Sequence, residues 1–180
     1  MANILMVGGT GLTGAHAALH LRDIGHRVTL MSRQPPALDC LRDFEHLAGS
    51  YLDDTISARA LEGFDQMVFA AGADIRQLPP GAGEQVFFDR VNTQGIPRFF
   101  QRAKDAGIAR AVYIGTYYPQ VAPQMIESSA YVRSRHLAVV RRENHDRAVG
   151  LSACLERVEH ELDAAVDVAQ AVQVEVETGP

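Results

Sequence analysis

Tryptophan is absent from this 180-residue chain, and cysteine occurs only as Cys40 and Cys154. Two isolated thiols with neither pairing pattern nor metal-site spacing give no disulfide framework, and they fit a reduced, cytoplasmic setting. No run of about twenty apolar residues occurs, so no membrane span is expected. No basic segment precedes the first apolar run, which enters a glycine turn instead of a leader-type cleavage site. Basic charge is also in deficit, with 17 Lys and Arg against 22 Asp and Glu and a net charge of −5. That balance argues against nucleic acid as a partner. Arg98, Arg102, Lys104 and Arg110 do cluster, but they read as the solvated side of one helix.

What is present is material for a core. Apolar residues make up 47% of the chain, enough for one α/β domain at this length. Short apolar runs at 4–7, 27–31, 44–48, 66–70 and 111–114 alternate with amphipathic stretches at 12–24, 57–62, 87–106 and 128–142. That rhythm predicts βα units in a doubly wound parallel sheet with helices on both faces, a three-layer α/β/α architecture. Pro97 falls inside the long 87–106 stretch and predicts a kink or a restart there. Residues 73–83, rich in Gly and Pro, read as loop. The domain is expected to span 1–147. In the tail, 148–180, Leu151, Leu155, Val158, Leu162, Ala165, Ala169 and Val172 step by four and three, which favours a helix over a sixth strand at 149–155. Val172, Val174 and Val176 then alternate with polar residues as a short strand would. The helical seam either covers the sheet or pairs two subunits as a homodimer.

The sharpest local signal is Val7-Gly8-Gly9-Thr10-Gly11-Leu12-Thr13-Gly14, which leaves the first strand and opens the first helix. Glycine there permits positive φ, lets the backbone approach a diphosphate, and allows close helix–strand packing. The unpaired amides and dipole at the helix start then face an anion. In this context the motif predicts a Rossmann-type dinucleotide site using Gly8, Thr10, Gly11, Leu12 and Gly14. The second strand ends in Met31-Ser32-Arg33, without the acid that would take up ribose hydroxyls. Arg33 is suited to a 2′-phosphate and Ser32 to a supporting hydrogen bond, so NADP is preferred, with NAD as the other option.

These motifs, with Ala70-Ala71-Gly72, Val91-Asn92-Thr93-Gln94-Gly95, the stretch from Ala106 to Ile114, and Tyr131-Val132-Arg133-Ser134-Arg135, follow one another in an order that resembles a known family. The chain is similar over roughly its first 140 residues to the short-chain dehydrogenase/reductase superfamily, in its extended or atypical epimerase/dehydratase-like branch. The resemblance implies a nicotinamide dinucleotide partner, contacts from Ala70, Ala71 and Gly72, and an active site of Thr116, Tyr131 and Arg135. Tyr131 would be the acid/base, Arg135 its cation and a hold on the nicotinamide ribose, and Thr116 the anchor for a small-molecule substrate. A phenol with an ordinary pKa of about 10 needs such a cation, and residues four apart share a helix face. Asn92 is placed near the site in a structural role.

Three departures bear on activity. Arg135 stands where the family has lysine, and its fork is larger and differently aimed. Ser50 stands where an Asp often lies near adenine, with Tyr51 after it. Extended members also continue well beyond this length, so no full substrate lobe is expected. The alternative is a non-catalytic NADP(H)-binding redox sensor or scaffold. His16 and His20 are four apart but lack a third ligand, so no metal site is expected. Asp53 and Asp54 read as a polar turn, and Tyr117, Tyr118 and Pro119 either wall a pocket or pack a loop.

Overall fold

The computed structural model describes residues 1–53, 56–143 and 173–177. Five parallel strands form the sheet: β1 (Asn3–Val7), β2 (Arg27–Ser32), β3 (Glu45–Ala48), β4 (Gln66–Phe69) and β5 (Arg110–Ile114), with β6 (Gln173–Glu177) at one edge. The order is β3-β2-β1-β4-β5-β6. β6 runs antiparallel to β5, pairing Gln173 with Ile114 and Glu177 with Arg110. Val174 and Val176 of the tail therefore lie in a strand on the domain's own sheet, and Val172 lies outside the described residues. The helical seam from Leu151 to Val172 and the rival strand at 149–155 lie outside the described residues.

β1 is the central strand, and Ile4, Leu5, Met6 and Val7 are all at most 2% exposed. A strand buried on both faces reads as an unbroken apolar run because neither side meets water. Ile4 and Met6 point to one face, where they pack with Val28, Leu30 and with Ala15 and Ala18 of α1 (Leu12–Asp23). Leu5 and Val7 point to the other, with Met31, Met67 and Phe69. That face is covered by α2 (Ala58–Leu61), α4 (Gly95–Asp105) and α7 (Ala130–Glu143). The three-layer expectation holds.

Phe69 is the hub of the second face. Its ring centroid lies 5.1 Å from that of Tyr51, 5.4 Å from Phe100 and 5.8 Å from Tyr113, in tilted and edge-on geometries that suit the aromatic quadrupole. α1 stops where Gly25 takes φ +93°, a conformation open to glycine at no steric cost. Ser57 caps α2 by accepting a hydrogen bond from the Ala60 amide.

The stretch expected as one helix from 87 to 106 is built differently. α3 (Glu84–Phe88) runs into a π-helical turn, Asp89–Gln94, before α4 begins at Gly95. A helix thus restarts close to Pro97, as one of the two expectations had it, and the π turn precedes it. Pro97 falls in the first turn of α4, where a missing N–H is least costly. Arg102 also departs from its solvated reading. It is half-buried, donating from Nη1 to the carbonyls of Asp53 (2.8 Å) and Ile56 (3.3 Å) and from Nη2 to that of Tyr51 (3.0 Å). It thus ties the loop after β3 to α4, something helical periodicity cannot reveal. The last two pieces before α7 are the short α5 (Tyr118–Val121) and α6 (Met125–Ser128).

Burial raises the phenols of Tyr51 and Tyr113 to about 12, against a partial opposing effect of the Arg135 charge on both. The unfolded chain's phenols ionise from about pH 10. Because the folded values are higher, stability from these two groups is intact below about pH 10 and is lost as pH rises towards about 12. In a phenolate absorbance titration these two tyrosines should ionise only together with unfolding, detected in parallel by circular dichroism. Ionisation of all five tyrosines with the fold intact would contradict this burial.

Candidate functional site

The strand order reverses direction between β1 and β4: the chain winds outward from β1 to β3, then returns to β4 on the other side. A crevice opens at such a switch point beyond the carboxyl ends of the strands. Here the turn after β1 faces the end of β4. Gly8 takes φ +83°, and a Cβ on it would come within 2.7 Å of the Ala71 nitrogen. A Cβ on Gly14 would run into the Gly8 carbonyl oxygen. Gly8 is thus required twice, by backbone conformation and by contact, and Gly14 by contact alone.

The Gly8 amide donates to Met31 O at 2.8 Å and the Gly11 amide to Gly8 O at 3.0 Å, which fixes the loop. α1 starts without a side-chain cap, since its N-cap is Gly11, and its first turn contains no acid. The first-turn amides have no intrahelical carbonyl to meet. The sequence has left this helix end open to an exogenous anion.

A groove of about 890 Å³ runs from this turn across the ends of β2 and β4. Gly8, Thr10, Gly11, Ser32, Arg33, Ala70, Ala71 and Gly72 line it together. Gly14 is buried beneath the turn, and Leu12 is 80% exposed at the start of α1; neither lines the groove. Ser50 and Tyr51 form part of the wall. Ser32 Oγ donates to Gln34 O at 2.6 Å and lies 2.9 Å from His46 Nε2, so its proton is already engaged. Arg33 is exposed and makes no hydrogen bond or ion pair among the described residues. Sequence reading missed Leu38, Leu41, Gln77, Phe87 and Arg90 in the lining. They come from a loop, from two short 3-10 turns, from α3 and from the π-helical turn, pieces too short for periodicity to mark the inward side.

Thr116, Tyr131 and Arg135 do not line this groove. Thr116 is half-buried just beyond β5. Beside it Tyr117 and Tyr118 stack at 4.7 Å, and their mutual hydrogen bond raises the Tyr117 phenol above its ordinary pKa. Tyr131 is half-buried on α7, edge-on to Phe88 at 5.5 Å. Arg135, one turn further along α7, is only 5% exposed. Its Nη1 donates to Ala71 O at 3.2 Å and its Nη2 to Ile114 O at 2.5 Å. The guanidinium carbon lies 4.8 Å from the centre of the Tyr113 ring. The cation thus bridges the carboxyl ends of β4 and β5. A Cβ at position 72 would come within 2.9 Å of this Nη1, a contact that a small shift of the long side chain could relieve.

Asn92 is fully buried in the π-helical turn, and its Nδ2 donates to Ser134 Oγ at 3.0 Å. Ser134 Oγ in turn donates to the Tyr131 carbonyl at 2.8 Å. α7 is therefore registered against the helix that follows β4. His16 and His20 are exposed, and no group of three or more His, Cys, Asp or Glu able to hold a metal gathers among the described residues. No helix of the described residues is long and apolar enough to cross a membrane.

Comparison with known proteins places this architecture. The profile of the NAD dependent epimerase/dehydratase family matches residues 4–161. A 3 beta-hydroxysteroid dehydrogenase/Delta 5→4-isomerase of Mycobacterium tuberculosis is 29% identical over 116 residues, 63% of this chain and 31% of that protein. A short-chain dehydrogenase/reductase superfamily protein from Agrobacterium tumefaciens, solved with bound NAD, superposes with a TM-score of 0.64 at 24% identity, over 81% of this chain and 45% of that one. The ADP-L-glycero-D-manno-heptose-6-epimerase of Helicobacter pylori gives a TM-score of 0.65 at 16% identity, over 81% and 51%. The chain spans about a third of the length of the curated relative it matches, and about half of each of these two structures. It belongs to the NAD-dependent epimerase/dehydratase family.

Proposed function

We propose that this chain binds NADP(H) and serves an oxidoreductase of the epimerase/dehydratase type, acting on a small carbonyl, alcohol or sugar-nucleotide substrate. One observation carries the reading: the uncapped start of α1 opens into a groove in which the exposed Arg33 takes the place of an acid at the end of β2. An acid at that point favours free ribose hydroxyls, whereas a guanidinium forms bidentate bonds with a phosphate. The residues present fit the dinucleotide: the Gly8–Ala71 approach leaves backbone amides at the groove floor, and Tyr51 and Leu52 provide an apolar wall for a base.

The bound nicotinamide supplies or accepts hydride. Gly8, Thr10, Gly11 and the first turn of α1 hold the diphosphate, with Ala70, Ala71 and Gly72 as the opposite wall. Tyr131 gives or takes the proton at the substrate oxygen, and Thr116 orients that oxygen by hydrogen bonding.

A second reading, a non-catalytic NADP(H) sensor or scaffold, is favoured by Arg135. Two donors of its guanidinium are taken by the Ala71 and Ile114 carbonyls, which leaves it bound to the sheet ends. Arg135 thus supports the fold under either reading.

Four measurements bear on these readings, and the third separates them. Saturating NADPH, at a hundred times its Kd, should stabilise the protein by about 2.7 kcal/mol in thermal melting. Arg33→Ala should weaken NADPH about tenfold or more and leave NADH unchanged; equal loss for both would remove the 2′-phosphate assignment. Tyr131→Phe should abolish any NADPH-dependent carbonyl reduction with NADPH affinity retained, and undiminished turnover would refute its role. Arg135→Met should cost about 3 kcal/mol of stability by leaving two carbonyls unpaired. A melting temperature unchanged by that substitution would show the bridge to be unimportant.

A further inference from the structure

Arg90 is the second cation of the groove. In an acidic chain of net charge −5, the groove lining includes Arg33 and Arg90 and no Asp or Glu. Arg90 is exposed, and its side chain makes no hydrogen bond or ion pair among the described residues. The neighbouring acid, Asp89, is engaged elsewhere. Its Oδ2 accepts from Gln85 Nε2 at 2.9 Å and its Oδ1 from Thr93 Oγ1 at 3.2 Å. Asp89 therefore forms no ion pair with Arg90 among the described residues.

The local backbone explains how Arg90 reaches this position. It lies in the π-helical turn Asp89–Gln94, whose Val91, Asn92 and Thr93 are all buried. A π turn places one extra residue in the circuit, and such turns recur at functional sites. The turn is pressed against the loop after β3, because Gly95 leaves no Cβ to collide with Leu52 and Tyr51. Those two residues also line the groove, with Phe87 and Val91 from the turn's side. Arg90 is thus carried to the groove on a segment packed tightly against its wall.

We propose that Arg90 pairs with the diphosphate of the bound dinucleotide, supplying the formal positive charge that the glycine turn lacks. The proposal rests on the reading that the groove holds a dinucleotide, and it goes beyond that reading by naming a specificity-determining side chain outside the glycine motif. Arg33 meets the 2′-phosphate; Arg90 makes affinity depend on the diphosphate itself. The ligand class is therefore set by two separately placed phosphates and two arginines from different elements. Charge-assisted bonds of this kind are roughly twice as strong as neutral ones.

Isothermal titration of the full chain with ADP, adenosine and NADPH tests this. Arg90→Gln should weaken ADP about tenfold and NADPH similarly, leave adenosine unchanged, and flatten the salt dependence of ADP binding; Arg90→Lys should restore part of the loss. Arg33→Gln should leave ADP unaffected. If wild-type protein binds ADP and Arg90→Gln binds it equally well at every salt concentration, Arg90 has no such role. A parallel loss of adenosine would likewise overturn the proposal, since it would mark a change in groove shape and not in charge. If wild-type protein binds none of the three, the dinucleotide reading itself fails and the Arg90 assignment falls with it.

Discussion

The rest of the structure depends on one close approach, the turn after β1 against the end of β4. No side chain can stand at Gly8 without striking Ala71, and none at Gly14 without striking the Gly8 carbonyl. Removing two side chains forfeits packing and increases the entropy lost on folding. In return the polypeptide presents backbone amides, in place of side chains, at the crest of the sheet. Two backbone hydrogen bonds, from the Gly8 amide to Met31 O and from the Gly11 amide to Gly8 O, hold the turn in this shape. Everything placed around it, from Arg33 to Tyr51, is positioned relative to that rigid line.

Around this line the fold uses arginine as a fastener. Arg102 reaches three carbonyls of the loop that carries Tyr51, and Arg135 reaches the ends of β4 and β5. Both guanidiniums answer carbonyls at or just beyond the ends of strands. A buried polar group left unpaired is expensive, so one planar cation that satisfies several acceptors at once suits these junctions. Arg135 also lies over the Tyr113 ring, adding a cation–π contact on its remaining face. A lysine at this position would offer a compact charge without the fork.

Much of the sheet was legible because its signals are local. The glycine spacing after 4–7, the missing acid at Ser32-Arg33, and the apolar runs all depend on residues adjacent in sequence. The same holds for α7, where the expected 128–142 and the observed Ala130–Glu143 differ only at the ends. What escaped was set by tertiary neighbours. Arg102 has the spacing of a solvated helix face, and only the loop after β3 makes it a fastener. Arg135 reads as a partner for Tyr131 by its i, i+4 spacing, whereas strand ends 64 and 21 residues away engage its nitrogens. The segment before α4 was misread because a π turn shifts the helical period by one residue, which Pro97 disguises as an ordinary kink.

That extra residue shapes how the gene can change. Removing any one codon between 89 and 94 is the simplest way to restore an uninterrupted α-helix. Because the π turn already takes up one additional residue, Phe87 and Phe88 on one side and Ile96, Phe99 and Phe100 on the other would keep close to their present facing. A deletion within α4 has no such slack and would turn everything beyond it by about 100°. Length is thus held more tightly in α4 than in the turn before it.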